Sequence, residues 1–170
     1  MIIRKESESD REAIAAVTRA AFAHHPHSHH TEHFIIDALR AANALTVSLV
    51  AEVGGKVVGH IAFSSVTISD GSPGWYGLGP VSVLPEFQRQ GIGKSLIHEG
   101  LSLLKALGAK GCVLVGDPNY YGRFGFRNVP ELVLEGVPQE YFLALAFGKD
   151  MVRGTVTFHP GFSATGPEPE

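Results

Sequence analysis

The apolar residues change period several times along the chain, and each change predicts an element. "MIIRK" reads as a short opening strand. In "SDREAIAAVTRAAFA" the apolar positions Ile14, Val17, Ala21 and Phe22 recur at helical spacing, and Ser9 with Glu12 has capping-box spacing. "TEHFIIDALRAA" predicts a second helix with Phe34, Ile35 and Leu39 on one side. "LTVSLVAEV" alternates instead: Leu45, Val47, Leu49, Ala51 and Val53 face one way, and Thr46, Ser48 and Glu52 the other. Gly54-Gly55 is a hairpin signal, and "KVVGHIAFSSVTIS" returns as its partner. Parity places Val57, Ile61 and Phe63 on one face of that strand and His60, Ala62 and Ser64 on the other. "WYGLGPVSVLP" is a further strand, stopped by Pro85.

"GIGKSLIHEGLSLLKALGA" carries Ile92, Leu96, Leu103 and Leu107 on one helical face, with Gly108 as its stop. The unbroken apolar run "KGCVLVG" fits a strand covered on both faces. "DPNYYGRFGF" reads as a turn or short helix, and "YFLALAF" and "GTVTFH" as late strands. The order βααβββαβαββ predicts a mixed sheet with helices packed on it, an α/β or α+β sandwich. One domain is expected over residues 1–160, followed by a C-terminal tail over 161–170.

Composition narrows the class. At 170 residues, 44% hydrophobic and 18% charged, the chain fits one globular domain. About two-thirds of its unfolded surface would be buried. The net charge of -3 comes with dispersed Lys and Arg, so nothing argues for nucleic acid or an anionic membrane surface. The single Cys112 cannot form an internal disulfide, which fits a reducing compartment, and it reads as a small core residue. No apolar run reaches the roughly 18 residues of a membrane span, and the N-terminus turns charged at once. A cytoplasmic location is expected.

The densest chemistry lies in "QRQGIGKS", Gln88 to Ser95. Its Gly-Lys-Ser ending suggests a P-loop, but the first glycine of that loop would fall on Gln88. The dinucleotide fingerprint fails as well, since its third glycine would fall on Leu96. What remains is Gln88-x-x-Gly91-x-Gly93 between a strand and a strong helix. Glycines let a ligand approach the backbone, and the helix start offers unpaired N–H groups and the positive end of its dipole. That combination suits a pyrophosphate. A plain strand-to-helix turn would use the same glycines.

"VSVLPEFQRQGIGKSLI" resembles the acetyl-CoA-binding motif of the GNAT superfamily of N-acetyltransferases, and "GDPNYYGRFGF" resembles that family's second motif. The similarity runs from Met1 to about Phe158. The combination resembles a bacterial branch of predicted N-acetyltransferases. The resemblance implies a mostly antiparallel mixed sheet with flanking helices and splayed central strands, acetyl-CoA as cosubstrate, and a primary amine acceptor. It implies that the backbones of Val81, Ser82 and Val83 pair with the pantetheine arm, and that the Val81 amide faces the thioester oxygen. The pyrophosphate is then expected on the amides from Arg89 through Gln90, Gly91, Ile92, Gly93 and Lys94 to Ser95, with Arg89 and Lys94 adding charge. Tyr121 is implied as the general acid, with Tyr120 as its neighbour. Asn119 is a candidate pantetheine contact, because the position where the family often has Asn is Leu114. A homodimer is one assembly the resemblance allows.

The base and the acceptor site stay open at this level. "HHPHSHHTEH" holds six of the nine histidines, yet it lacks His-Glu-x-x-His, and no metal is expected. An acceptor-site wall and a plain exposed loop both fit it. His30, Glu32, His33, His60 and Trp75 are the acceptor-site candidates; His60 and Glu32 are also candidate bases, beside a water wire. A non-catalytic acyl-CoA-binding or sensing domain is the alternative to an enzyme, and Tyr121 argues against it because binding alone needs no acid.

Overall fold

The computed structural model describes residues 1–26, 28–150 and 152–166. The chain runs β1 (Ile2–Lys5), α1 (Arg11–Phe22), α2 (Glu32–Ala41), β2 (Leu45–Val53), β3 (Lys56–Ile68) and β4 (Trp75–Val83). It continues through α3 (Ile92–Ala106), β5 (Gly111–Val115), α4 (Pro118–Tyr121), β6 (Arg127–Asn128), β7 (Leu132–Val133), β8 (Phe142–Ala146) and β9 (Gly154–Phe158). The sheet order is β1-β2-β3-β4-β5-β8-β6, with β9 joining the far end of β3 and pairing β7. Every neighbouring pair along that main path is antiparallel except β4 with β5. The two-residue strands β6 and β7 escape the sequence reading, being too short to show a period.

The alternation of β2 decides its packing. Val47, Leu49 and Ala51 join Ile61, Phe63, Leu96, Ile97 and Leu104 in the main core. Here α3 lies directly on the sheet: a Cβ added at Gly100 would sit 2.3 Å from the Phe63 ring. On the opposite face Ile14 of α1, Ile36 of α2 and Val50 of β2 form a second core. Parity fails at two expected positions: a register shift between Leu45 and Val47 sets Leu45 opposite Ser64 and against the Ile14–Ile36–Val50 cluster, and Val57 is displaced as well. Ile61 lies opposite Leu49 and Phe63 opposite Val47, but Val57 lies opposite Glu52. Between the pairs Ala51–Gly59 and Glu52–Val57 the strand carries one extra residue, Val58. Such a bulge reverses parity, so Val57 packs against the Ile14–Ile36–Val50 cluster as well as against the main core.

The helix start also differs from expectation. The box forms two residues earlier than Ser9–Glu12: the Ser7 amide and hydroxyl both donate to Asp10 Oδ2, at 2.7 and 3.1 Å. Asp10 wins this role because Arg4 of β1 also holds it, Nη1 to Oδ2 at 2.7 Å. The turn Glu8–Asp10 is therefore 3₁₀ and α1 begins at Arg11. At the other end, the expected tail starts with packed residues. The turn Pro160–Ser163 brings Gly161 against Leu39 and the Phe162 ring to 5.0 Å from Phe158.

These ties position the site. Arg4–Asp10 pins the start of α1 to β1, and α1 then crosses β3 and β4. The end of α2 returns to the β1 side, where Arg40 pairs with Glu6.

Candidate active site

The loop after β4 is held in a sharp bend ahead of α3. Pro85–Phe87 makes one 3₁₀ turn, and α3 then starts from Gly91 at φ +84°. Arg89 is also left-handed, at φ +64°, an uncommon state for a side-chain-bearing residue. The Gln88 side chain braces this bend by donating to the Val83 carbonyl at 3.0 Å. Gln90 donates to the Glu86 carbonyl at 3.3 Å. Both glutamines thus hold the loop's shape with their side chains. A Cβ at Gly91 would meet nothing within 4 Å, so open space lies in front of the helix start. The first N–H groups of a helix have no intrahelical acceptor. The Ser95 amide is an exception to the expected set, since it already donates to the Gly91 carbonyl at 3.0 Å. Only its hydroxyl is left for a ligand.

The strands leading to this loop part company. β4 pairs with β5 only over Trp75–Gly77 with Gly111–Val113. Beyond Gly77, β4 stays with β3, where Ile61, His60 and Gly59 face Val81, Ser82 and Val83. Beyond Val113, β5 stays with β8, where Leu114 and Val115 face Leu143 and Phe142. Val81, Ser82 and Val83 therefore present a strand edge toward the fork with no β5 partner. An extended chain can add to such an edge through its main chain.

Two adjacent tyrosines fill the fork in different ways. Asp117 caps α4 by accepting from the Asn119 amide at 2.9 Å, leaving Asn119 exposed. The Tyr120 hydroxyl points at the start of α3: a Cβ on Gly93 would lie 3.7 Å from it. The Arg123 guanidinium covers the Tyr120 ring at 4.7 Å. The Tyr121 ring instead lies against the end of β5, so close to Gly116 that a Cβ there would be 2.5 Å away. Burial pushes the Tyr121 hydroxyl up to about 12, with Tyr120 adding to the shift, so it stays protonated through neutral pH. Cys112 is fully buried and burial raises its thiol, which leaves no nucleophile there.

The acceptor-site candidates separate into three places. His30, Glu32 and His33 meet Arg19, Phe22 and Ala23 around a cavity of about 310 Å³ at the α1–α2 turn. Ser28 fixes Glu32 there by donating to its carboxylate at 2.8 Å. Burial, then Arg19, lowers the His33 pKa. His27 of the same loop lies outside the described residues. Among the described residues, no three metal-binding side chains cluster. Trp75 is corrected: it is 3% exposed at the opposite end of β4, with its ring over Gly111. It packs there because the strand begins against β5 rather than in the fork. His60 is also no wall residue, since it is completely buried. Its Nε2 lies 2.8 Å from Ser48 Oγ, and Ser48 donates onward to Glu6 Oε1. The sequence reading left Glu6, Ser48 and Arg40 aside. The polar parity of Ser48 and His60 in adjacent strands was the available signal.

A divided central strand pair, a left-handed glycine opening the helix after it and a tyrosine against the second arm are the features of an acyl-CoA-dependent transferase scaffold. The sequence profile of the acetyltransferase (GNAT) family matches residues 11–126, and the chain belongs to that family. It is similar to the uncharacterised N-acetyltransferase YhbS of Escherichia coli K12, with 35% identity over 128 residues, 75% of this chain and 74% of that protein. Among solved structures it resembles a GNAT acetyltransferase from Brucella melitensis in complex with acetyl-CoA. The TM-score is 0.85 and the identity 53%, over 95% of this chain and 97% of the other. It likewise resembles E. coli YhbS in complex with CoA, at TM-score 0.87 and 31% identity, over 98% and 93% of the two chains. Among the described residues, no helix is long and apolar enough to cross a membrane.

Proposed function

We propose that the chain moves the acetyl group of acetyl-CoA to a primary amine by direct attack within a ternary complex. The observation that carries this reading is the fork. The edge of Val81–Val83, which no β5 strand covers, runs to the amides ahead of α3, and Tyr121 lies against the other arm at Gly116. The pantetheine would add to that edge, and the pyrophosphate would rest on the amides of Arg89 to Lys94. The two solved relatives bound to acetyl-CoA and CoA support the choice of ligand.

Chemistry follows from these placements. The Val81 amide would donate to the thioester oxygen, whose charge grows in the tetrahedral intermediate; one such donor typically contributes roughly 3 kcal/mol. The amine nitrogen bonds to the acetyl carbon to give that intermediate, and the carbon–sulfur bond breaks as it collapses. Tyr121 gives its proton to the departing thiolate and regains one from the new amide nitrogen. The cavity at Arg19, Phe22, His30, Glu32 and His33 is the acceptor's entrance in this reading. The test is a panel of amines with acetyl-CoA, scored by free CoA release. Amine-dependent release with a matching acetylated product supports the proposal. Tight CoA binding without transfer to any amine contradicts it.

A further inference from the structure

A row of polar side chains crosses the sheet beneath α1 and α2. Arg40 grips Glu6 with two hydrogen bonds, Nε to Oε2 at 2.9 Å and Nη2 to Oε1 at 3.1 Å. The Ser48 hydroxyl donates to the same carboxylate. A hydroxyl has one proton, so Ser48 must accept at its 2.8 Å contact with His60. The ring proton of His60 therefore sits on Nε2, and Nδ1 presents a bare lone pair. That Nδ1 is buried and has no hydrogen-bond partner. Directly across the β3–β4 ladder stands Ser82, whose hydroxyl is also buried without a partner. Ser82 follows Val81, the residue beside the thioester in the proposed complex.

His60 Nδ1 and Ser82 Oγ, on ladder-paired residues but not bonded to each other, are two of three such orphans, with Ser64 Oγ further along β3; unpaired buried polar groups destabilise a core. A hydroxyl and an acceptor nitrogen on neighbouring strands complement each other, and the row beyond them is fully connected. Its far end reaches water: the Glu6 side chain is 16% exposed, and Glu6 and Ser48 both line a hollow of about 330 Å³.

We propose that Ser82, His60, Ser48 and Glu6 form a proton relay that carries the acceptor's ammonium proton from the β4 fork to solvent. This rests on the acetyltransfer reading and supplies its missing base. The ammonium N–H passes its proton to Ser82 Oγ as the Ser82 proton moves to His60 Nδ1. The Nε2 proton moves to Ser48, whose own proton moves to the Glu6 carboxylate and on to water. Each member gains one proton and loses one, and the amine is left neutral for attack. His60 acts through Ser82 and is a positioning and relay residue.

The charged groups around the ring suit this role. Burial is the largest influence on His60 and holds it down to about 4; Glu6 and Asp10 oppose that, and Arg40 adds to it. The ring is thus neutral at physiological pH. Burial raises Glu6, but the bonds from Arg40 and Ser48 outweigh it and keep the carboxylate below its ordinary range.

The test uses the full chain labelled with [¹⁵N]histidine, with the His60 signals identified by their loss in His60→Gln. The relay predicts a neutral ring protonated on Nε2 from pH 6 to 8; a proton on Nδ1, or a charged ring, overturns it. This arm needs no acceptor. The kinetic arm compares phenethylamine, cationic at pH 7, with aniline, already neutral. Ser48→Ala should slow transfer to phenethylamine about 10-fold or more in kcat. It should leave the aniline rate and the KM for acetyl-CoA within about 2-fold, and Ser48→Thr should restore the phenethylamine rate. Equal losses with both amines would mean a structural role and overturn the relay. Loss of acetyl-CoA binding in the wild-type chain would instead count against the acetyltransfer reading itself.

Discussion

Gly91→Glu puts the phosphate cradle under the sharpest strain. Gly91 stands at φ +84°, so a side-chain-bearing residue there costs about 1–2 kcal/mol. The fold should survive this, because nothing lies within 4 Å of the new Cβ. The new carboxylate would project into the space assigned to the pyrophosphate. Two unit charges about 5 Å apart repel by roughly 3 kcal/mol at the effective dielectric of a protein surface. A pyrophosphate carries more than one charge, and the side chain also blocks its approach to the amides. A loss of at least 3 kcal/mol corresponds to a dissociation constant raised more than about 100-fold. Calorimetric titration of CoA into both proteins reads this directly, with circular dichroism confirming the fold. Gly91→Ala separates the effects, since it adds the strain without the charge and should keep much of the affinity. A folded Gly91→Glu protein with unchanged CoA affinity would mean that the phosphates bind elsewhere.

Other outcomes follow from the same geometry. Tyr121→Phe should lower acetyl transfer by about 10²-fold or more with little change in acetyl-CoA affinity, and Tyr120→Phe should be milder; near wild-type rates for Tyr121→Phe in a chemistry-limited assay would remove the hydroxyl from the mechanism. With its hydroxyl pushed up to about 12, Tyr121 should produce no falling limb in rate between pH 7 and 10. His60, held down to about 4 against an ordinary 6.5, is neutral in the fold while the unfolded chain takes up a proton. Its contribution is whole above pH 6.5 and is lost as pH falls toward 4, about 3 kcal/mol in all. Denaturant midpoints across that range should fall in the wild type and fall less in His60→Gln; parallel curves would refute the linkage.

Much of the architecture was legible because its patterns are local. The alternation of Leu45–Val53, the helical stripe ending at Gly108 and the unbroken run at Cys112 each correspond to an element of the fold. The strand-to-helix turn was legible too, since Gly91 opens α3 with a left-handed backbone. What was hidden depends on partners distant in sequence. Val57 is displaced by a bulge against β2, and no period within β3 records that. Asp10 takes the capping role from Glu12 because Arg4 on β1 reaches it. Trp75 read either as an acceptor-site wall or as the plain start of a strand, and pairing with β5 buries it in the second role. The row from Arg40 to Ser82 spans α2, the residue after β1, and three strands, so only the folded sheet brings it together.

The most direct test is the crystal structure of the chain with acetyl-CoA. The account predicts pyrophosphate oxygens on the amides between Arg89 and Lys94, and pantetheine running along Val81–Val83 in the fork. It also predicts the thioester oxygen within hydrogen-bonding distance of the Val81 amide, and the sulfur beside the Tyr121 hydroxyl. Acetyl-CoA seated elsewhere, such as the hollow of about 470 Å³ between Trp75, Lys110 and Phe147, with the fork left free, would contradict it.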